Sequence, residues 1–171
     1  MSKLNIFLDL EETVIDDWYS CNFLDHKIDT INDKIKSLSI DFLSEIAQDR
    51  NINLILFSAA VCNENDLNIF NKQIKPILEK KLEFKFSSEF LFSDENWIKL
   101  ANKNGIKVLQ DDNMQDIFNL NIKEQIFELI AIKNEVNILF DDTVDNKITQ
   151  LFDTMEFNKK PLTTLIFINM K

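Results

Sequence analysis

Four short apolar runs constrain this 171-residue chain more than any other feature. They cover residues 4–8, 52–57, 136–140 and 164–168. Each has the length of a β-strand. Their near-continuous apolarity marks strands buried on both faces of a parallel sheet. A weaker run at 82–86 alternates and is expected as a strand nearer an edge. Helical spacing fills the intervals: Ile31, Ile35, Leu38, Phe42 and Ile46; then Leu67, Phe70, Ile74, Ile77 and Leu78; then Ile122, Ile126, Leu129 and Ile130. Residues 143–152 read as a short helix. Strands alternating with helices specify an α/β fold with a mainly parallel sheet. The length suits one domain spanning 1–171, and no repeat or Gly/Ser/Pro linker divides it.

Composition removes whole classes of chemistry. The single glycine, Gly105, excludes every glycine-rich phosphate loop. One histidine, His26, and two cysteines, Cys21 and Cys62, exclude a four-ligand Cys/His zinc site. Two cysteines also make no disulfide scaffold, which points to a reducing, cytoplasmic setting. The formal net charge of -10 repels nucleic acid polymers and anionic membranes, and the longest basic runs are the doublets Lys80-Lys81 and Lys159-Lys160. No apolar run approaches the roughly 20 residues of a membrane span. Asp9 comes too early for a signal peptide.

In a parallel sheet, ligands sit beyond the carboxyl ends of the strands. The first run ends in Asp9-Leu10-Glu11-Glu12-Thr13, the second in Ser58-Ala59-Ala60, and the third in Asp141-Asp142-Thr143. Adjacent acids are weak evidence alone: with 29 acidic residues in 171, chance supplies about five such pairs, and five occur. Position is the stronger evidence, because only Asp141-Asp142 directly follows a buried-strand run. Continued strand alternation would aim Asp9 and Glu11 the same way. The ordinary alternatives are helix N-caps for the acids and a turn cap for Ser58.

The residues Ile6-Phe7-Leu8-Asp9-Leu10-Glu11-Glu12-Thr13-Val14 resemble the first motif of the haloacid-dehalogenase (HAD) superfamily, a hydrophobic strand followed by D-x-D-x-[TV]. Leu54-Ile55-Leu56-Phe57-Ser58 resembles the second motif, and Ile138-Leu139-Phe140-Asp141-Asp142 the fourth. Lys123 fits the place of the third, with Lys133 and Lys99 as rivals. The resemblance spans residues 4–142 and is nearest in style to the FCP/SCP-like and magnesium-dependent phosphatases. It implies a Rossmann-like three-layer sandwich, capless or with a small cap. It also implies a Mg2+-dependent phosphatase acting on a phosphorylated substrate.

By that resemblance, Asp9 is the nucleophile that forms an aspartyl-phosphate, and Ser58 and Ala59 hold the phosphate. Lys123 pairs with Asp9 and the phosphate, and Asp9, Asp141, Asp142 and residue 11 hold the metal. The family has Asp where this chain has Glu11, the group that protonates the leaving oxygen and later activates water. The extra methylene matters because acid–base catalysis depends on placement. It leaves three options: a working phosphatase, a slow one, or a protein that binds Mg2+ and phosphate without turnover. Residues 15–20, with Trp18 and Tyr19, have room only for a flap. Residues 87–121 form either a small cap or an added core layer. An open site of this kind suits bulky substrates, or completion by a second subunit in a homo-oligomer.

Overall fold

The computed structural model describes residues 3–16, 32–48, 51–106, 122–133, 135–152 and 161–170, with the side chains of 151, 152, 161 and 162 left aside. Its centre is a six-stranded sheet in the order β3-β2-β1-β4-β6-β5. The strands are β1 (Leu4–Leu8), β2 (Ile52–Leu56), β3 (Phe86–Glu89), β4 (Val136–Asp141), β5 (Lys147–Phe152) and β6 (Pro161–Asn169). All neighbouring pairs are parallel except β5 with β6. The four apolar runs thus form the parallel centre, as their patterning predicts.

Helices lie on both faces. On one side are α1 (Ser37–Ala47), α2 (Glu64–Ile69) and α3 (Lys75–Leu82). They pack Ile40, Leu43, Phe70 and Leu78 on Ile6, Leu8, Leu54 and Phe140. On the other side, α4 (Asp94–Lys103) and α5 (Ile122–Ile130) bring Trp97, Ala101, Ile126 and Phe127 onto Phe7, Ile55, Leu139 and Phe167. Alternate strand residues serve opposite faces, so β1 gives Ile6 and Leu8 to one core and Phe7 to the other. The second core is aromatic. Phe127 meets Phe7 edge-on at 5.0 Å and Phe167 at 5.2 Å between ring centroids. Such pairs add about 0.5–1.5 kcal/mol beyond area burial.

Several expectations are corrected. Residues 147–152 form a strand, not part of a helix, because pairing with β6 satisfies their backbone. Leu82 closes α3, and the edge strand begins at Phe86, later than its apolar run suggests. The turn between them is made by Glu83 in the left-handed region, φ 62°. Helix α1 starts at Ser37, so Ile35 lies outside it and bridges Ile15 instead. Its inward residues are Ser39, Ile40 and Leu43, while Leu38 and Phe42 face solvent. Between α2 and α3 the chain widens into a π-helical turn, Phe70–Ile74, yet Phe70, Ile74, Leu78 and Leu82 are all buried.

The 87–121 segment divides. Residues 87–89 belong to β3, and α4 with Trp97 forms a core layer, closed by Gly105 at φ 72°. Residues 107–121 lie outside the described residues, as do Trp18, Tyr19, Cys21, His26 and Ile31. No helix among the described residues is long and apolar enough to cross a membrane.

Phe127 holds α5 to the sheet through both ring contacts. Phe127→Ala should lower unfolding stability by about 3–5 kcal/mol, read as a shifted midpoint in urea. A loss under 1 kcal/mol would show that the aromatic cluster does not anchor this helix.

Candidate functional site

The sheet order makes β1 the pivot, with β2 on one side and β4 on the other. Chain direction across the sheet reverses there, and a crevice opens beyond the strand ends. Asp9 sits at that point. Its N–H donates to Phe140 O at 3.0 Å, while Phe57 N–H donates to Leu8 O at 2.9 Å. These bonds continue the ladder one residue past β1. The chain then turns tightly, with the N–H groups of Val14 and Ile15 both donating to Leu10 O. Glu12 adopts φ 54° within the turn, and Lys36 Nζ holds its carbonyl.

Four segments converge on Asp9. Thr13 Oγ1 donates to its Oδ2 at 3.2 Å, and Thr13 O is held by Ser39 Oγ at 2.7 Å. Lys123, at the start of α5, donates to its Oδ1 at 2.7 Å. The Ser58 hydroxyl supplies a further hydrogen bond, and Ser58 Oγ accepts from Leu10 N–H at 3.4 Å. Ala59 is buried beside Ser58. Asp141 lies opposite, with its Oδ2 against the Lys123 ammonium. Its Oδ1 accepts from Thr143 N–H at 2.8 Å, an Asx turn that points the carboxylate inward. Carboxylate oxygens of Asp9, Asp141 and Asp142 all lie within 4.8 Å of one another.

The expected set is therefore brought together at Asp9, Ser58, Ala59, Lys123, Asp141 and Asp142. Glu11 is the exception: it is half-buried and its carboxylate is not part of the three-acid cluster. The expected alternation fails because β1 ends at Leu8 and the chain turns from Leu10, so Glu11 instead bridges Ile15. The rival lysines lie elsewhere, with Lys99 exposed and paired to Glu95, and Lys133 exposed after α5. Sequence reasoning missed Thr143. A hydroxyl residue two places after a strand-end Asp is the available signal, since it completes an Asx turn.

Asp9, Lys123 and Asp141 are all buried, so their charges act strongly on one another. Burial pushes Asp9 up to about 6, assisted by Asp141 and opposed by Lys123. Burial also acts to raise Asp141, but the Lys123 charge and the Thr143 hydrogen bonds hold it below the usual carboxylate range. Desolvation pulls Lys123 down, and the two carboxylates more than offset it, so its ammonium is held charged.

One lysine against three carboxylates leaves negative charge over. Asp141 Oδ2 is buried and makes no directed hydrogen bond, although the ammonium lies beside it. Hard carboxylate oxygens with an unsatisfied buried member fit Mg2+, which takes oxygen ligands and keeps several waters. No known protein family, curated protein or solved structure matches the chain.

The shifts set a pH dependence for the metal-free protein. The folded Asp9 binds its proton more tightly than the unfolded one, so the stability it contributes is present below about 3.8 and lost as pH rises through about 6. Asp141 acts below 3.8 in the opposite sense, losing its contribution as pH falls. In EDTA, the melting temperature of Asp9→Asn relative to the parent should therefore climb from pH 4 to 6.5. A constant difference across that range would show that Asp9 is not destabilised by burial.

Proposed function

We propose that the chain is a Mg2+-dependent phosphatase of HAD type, with Asp9 as nucleophile. The observation that carries this reading is the meeting of Asp9, Ser58, Lys123 and Asp141. They come from four separate segments and converge at one crevice in the family's arrangement.

The residues present would divide the work as follows. Asp9 Oδ attacks phosphorus, and the P–O bond to the leaving oxygen breaks as the new P–O bond forms, giving an aspartyl-phosphate. Water then cleaves that intermediate, releasing phosphate and restoring the carboxylate. With its pKa near 6, Asp9 is largely ionised at pH 7. Lys123 and Ser58 offset charge on the transferring phosphoryl oxygens. Asp9, Asp141 and Asp142 would hold Mg2+, which when bound supplies the positive charge that lets a phosphate approach three carboxylates. Glu11 stands where the family has its acid and base.

A second reading has one observation in its favour. The Glu11 carboxylate lies outside the acidic cluster, and its backbone is tied into the turn. A protein that binds Mg2+ and phosphate without turnover has no need of it.

Three measurements decide between them. Asp9→Asn should abolish release of phosphate from a generic aryl phosphate, since the amide keeps the shape but not the nucleophile. Activity above a trace in this variant removes Asp9 from the chemistry. Glu11→Gln should slow turnover by about 10²–10⁴-fold, whereas an inactive parent that still binds Mg2+ would favour the second reading. Mg2+ at a hundredfold excess over its dissociation constant should stabilise the fold by about 2.7 kcal/mol. That is a rise of roughly 5–10 °C in melting temperature. Asp141→Asn should lose most of the rise, and an unchanged rise would exclude a metal at this rim.

A further inference from the structure

One register row crosses the whole sheet on the α1 side. It runs through Leu54 of β2, Ile6 of β1, Ile138 of β4, Ile166 of β6 and Ile148 of β5. Leu54 and Ile6 are fully buried and Ile138 is 5% exposed, Ile166 is half-buried, and Ile148 is 69% exposed. The apolar row thus continues past the point where the helical layer stops. The opposite face behaves differently. Its row runs through Ile55, Phe7, Leu139 and Phe167, all buried, and finishes in Lys147. The Lys147 ammonium lies 4.3 Å from the Phe167 ring centroid and pairs with Glu124. One face is closed off with a charge, and the other is left apolar to its edge.

Beside the uncovered strands, a groove of about 610 Å³ runs between α1 and the end of β6. Leu38 and Phe42 form one wall, with Ile168 and Met170 opposite. Leu38 is 85% exposed and Phe42 41%. The charged residues of the groove are Lys36 and Asp16, paired at 3.9 Å, so it carries no net charge. Exposed apolar surface of this continuity marks an interaction site.

We infer that this face is the interface of a homodimer, in which α1 of each copy lies on the β6–β5 floor of the other. Charge selects the occupant. A chain of net charge -10 repels its own copy everywhere except through an acid-poor surface, which this face provides. An anionic membrane or nucleic acid would require a basic patch, and a basic partner would seek acids; the groove offers neither. Shape agrees with the charge. The same face carries the projecting side chains, Leu38 and Phe42, and the floor that receives them, which is the self-complementarity a twofold interface requires. Helix α1 of a second copy would also restore the helix-on-sheet cover that ends short of β5.

Sedimentation equilibrium of the full chain at tens of micromolar tests this directly. The parent should sediment at twice the mass of the chain. Leu38→Glu and Ile148→Lys should each raise the dimer dissociation constant by about tenfold or more. Both side chains are exposed, so the variants should keep the parent's far-UV circular dichroism and cooperative melting. Glu83→Lys, on the α3–β3 turn, should leave the dimer unchanged. A monomeric parent overturns the inference, whether the face then meets neutral lipid vesicles or nothing. A dimer that neither Leu38→Glu nor Ile148→Lys weakens overturns it too, because another surface then makes the contact.

Discussion

The ammonium of Lys123, between Asp9 and Asp141, is the interaction on which the rest depends. Two carboxylates buried this close would repel one another and lose their hydration. The lysine makes their burial tolerable, and it arrives from a helix on the far side of the sheet. Placing it requires α5 to dock in one register. That docking comes from Phe127, one helical turn further on, wedged between Phe7 and Phe167. The aromatic core and the charged crevice are thus two ends of one constraint. The core fixes the helix, the helix fixes the cation, and the cation permits the acids.

Much of this was readable because buried parallel strands advertise themselves by continuous apolarity, whatever their neighbours do. Counting to the ends of those runs locates Asp9, Ser58 and Asp141 without knowledge of the fold. Lys123 was harder, since spacing alone left Lys99 and Lys133 as rivals, and only packing of α5 separates them. What the pattern could not carry were features decided by partners. Residues 147–152 hold too few apolar positions to choose between periods 2 and 3.6, and β6 makes the choice. Leu38 and Phe42 sit on a real helix, but Ile40 and Leu43 are the residues it turns to the core. Glu11 was misplaced because alternation holds only while the strand lasts, and β1 lasts only to Leu8.

Scarcity of glycine leaves its own trace. Two turns place a glutamate in the left-handed region, Glu12 beside the site and Glu83 after α3. Each costs about 1–2 kcal/mol relative to an unstrained backbone. Around Glu12 the cost is met by neighbours: Lys36 grips its carbonyl, and its N–H donates to Ile15 O at 2.9 Å. That strain lies within the loop that orients Thr13 toward Asp9, so the loop is held by its surroundings rather than by its own preference.

The π-helical turn at Phe70–Ile74 bears on how this region tolerates changes of length. Phe70, Ile74, Leu78 and Leu82 follow one another at intervals of four, and all four face the core. At 3.6 residues per turn, a row with that interval drifts about 40° around the helix at each step and would leave the sheet within a few steps. One wider turn winds the row back. Removing a single residue there would restore a regular helix but rotate α3 by about 100° relative to α2, turning Leu78 and Leu82 out of the core. Surface loops of this chain can absorb an insertion or deletion; this buried helical stretch has its residue count fixed to the unit.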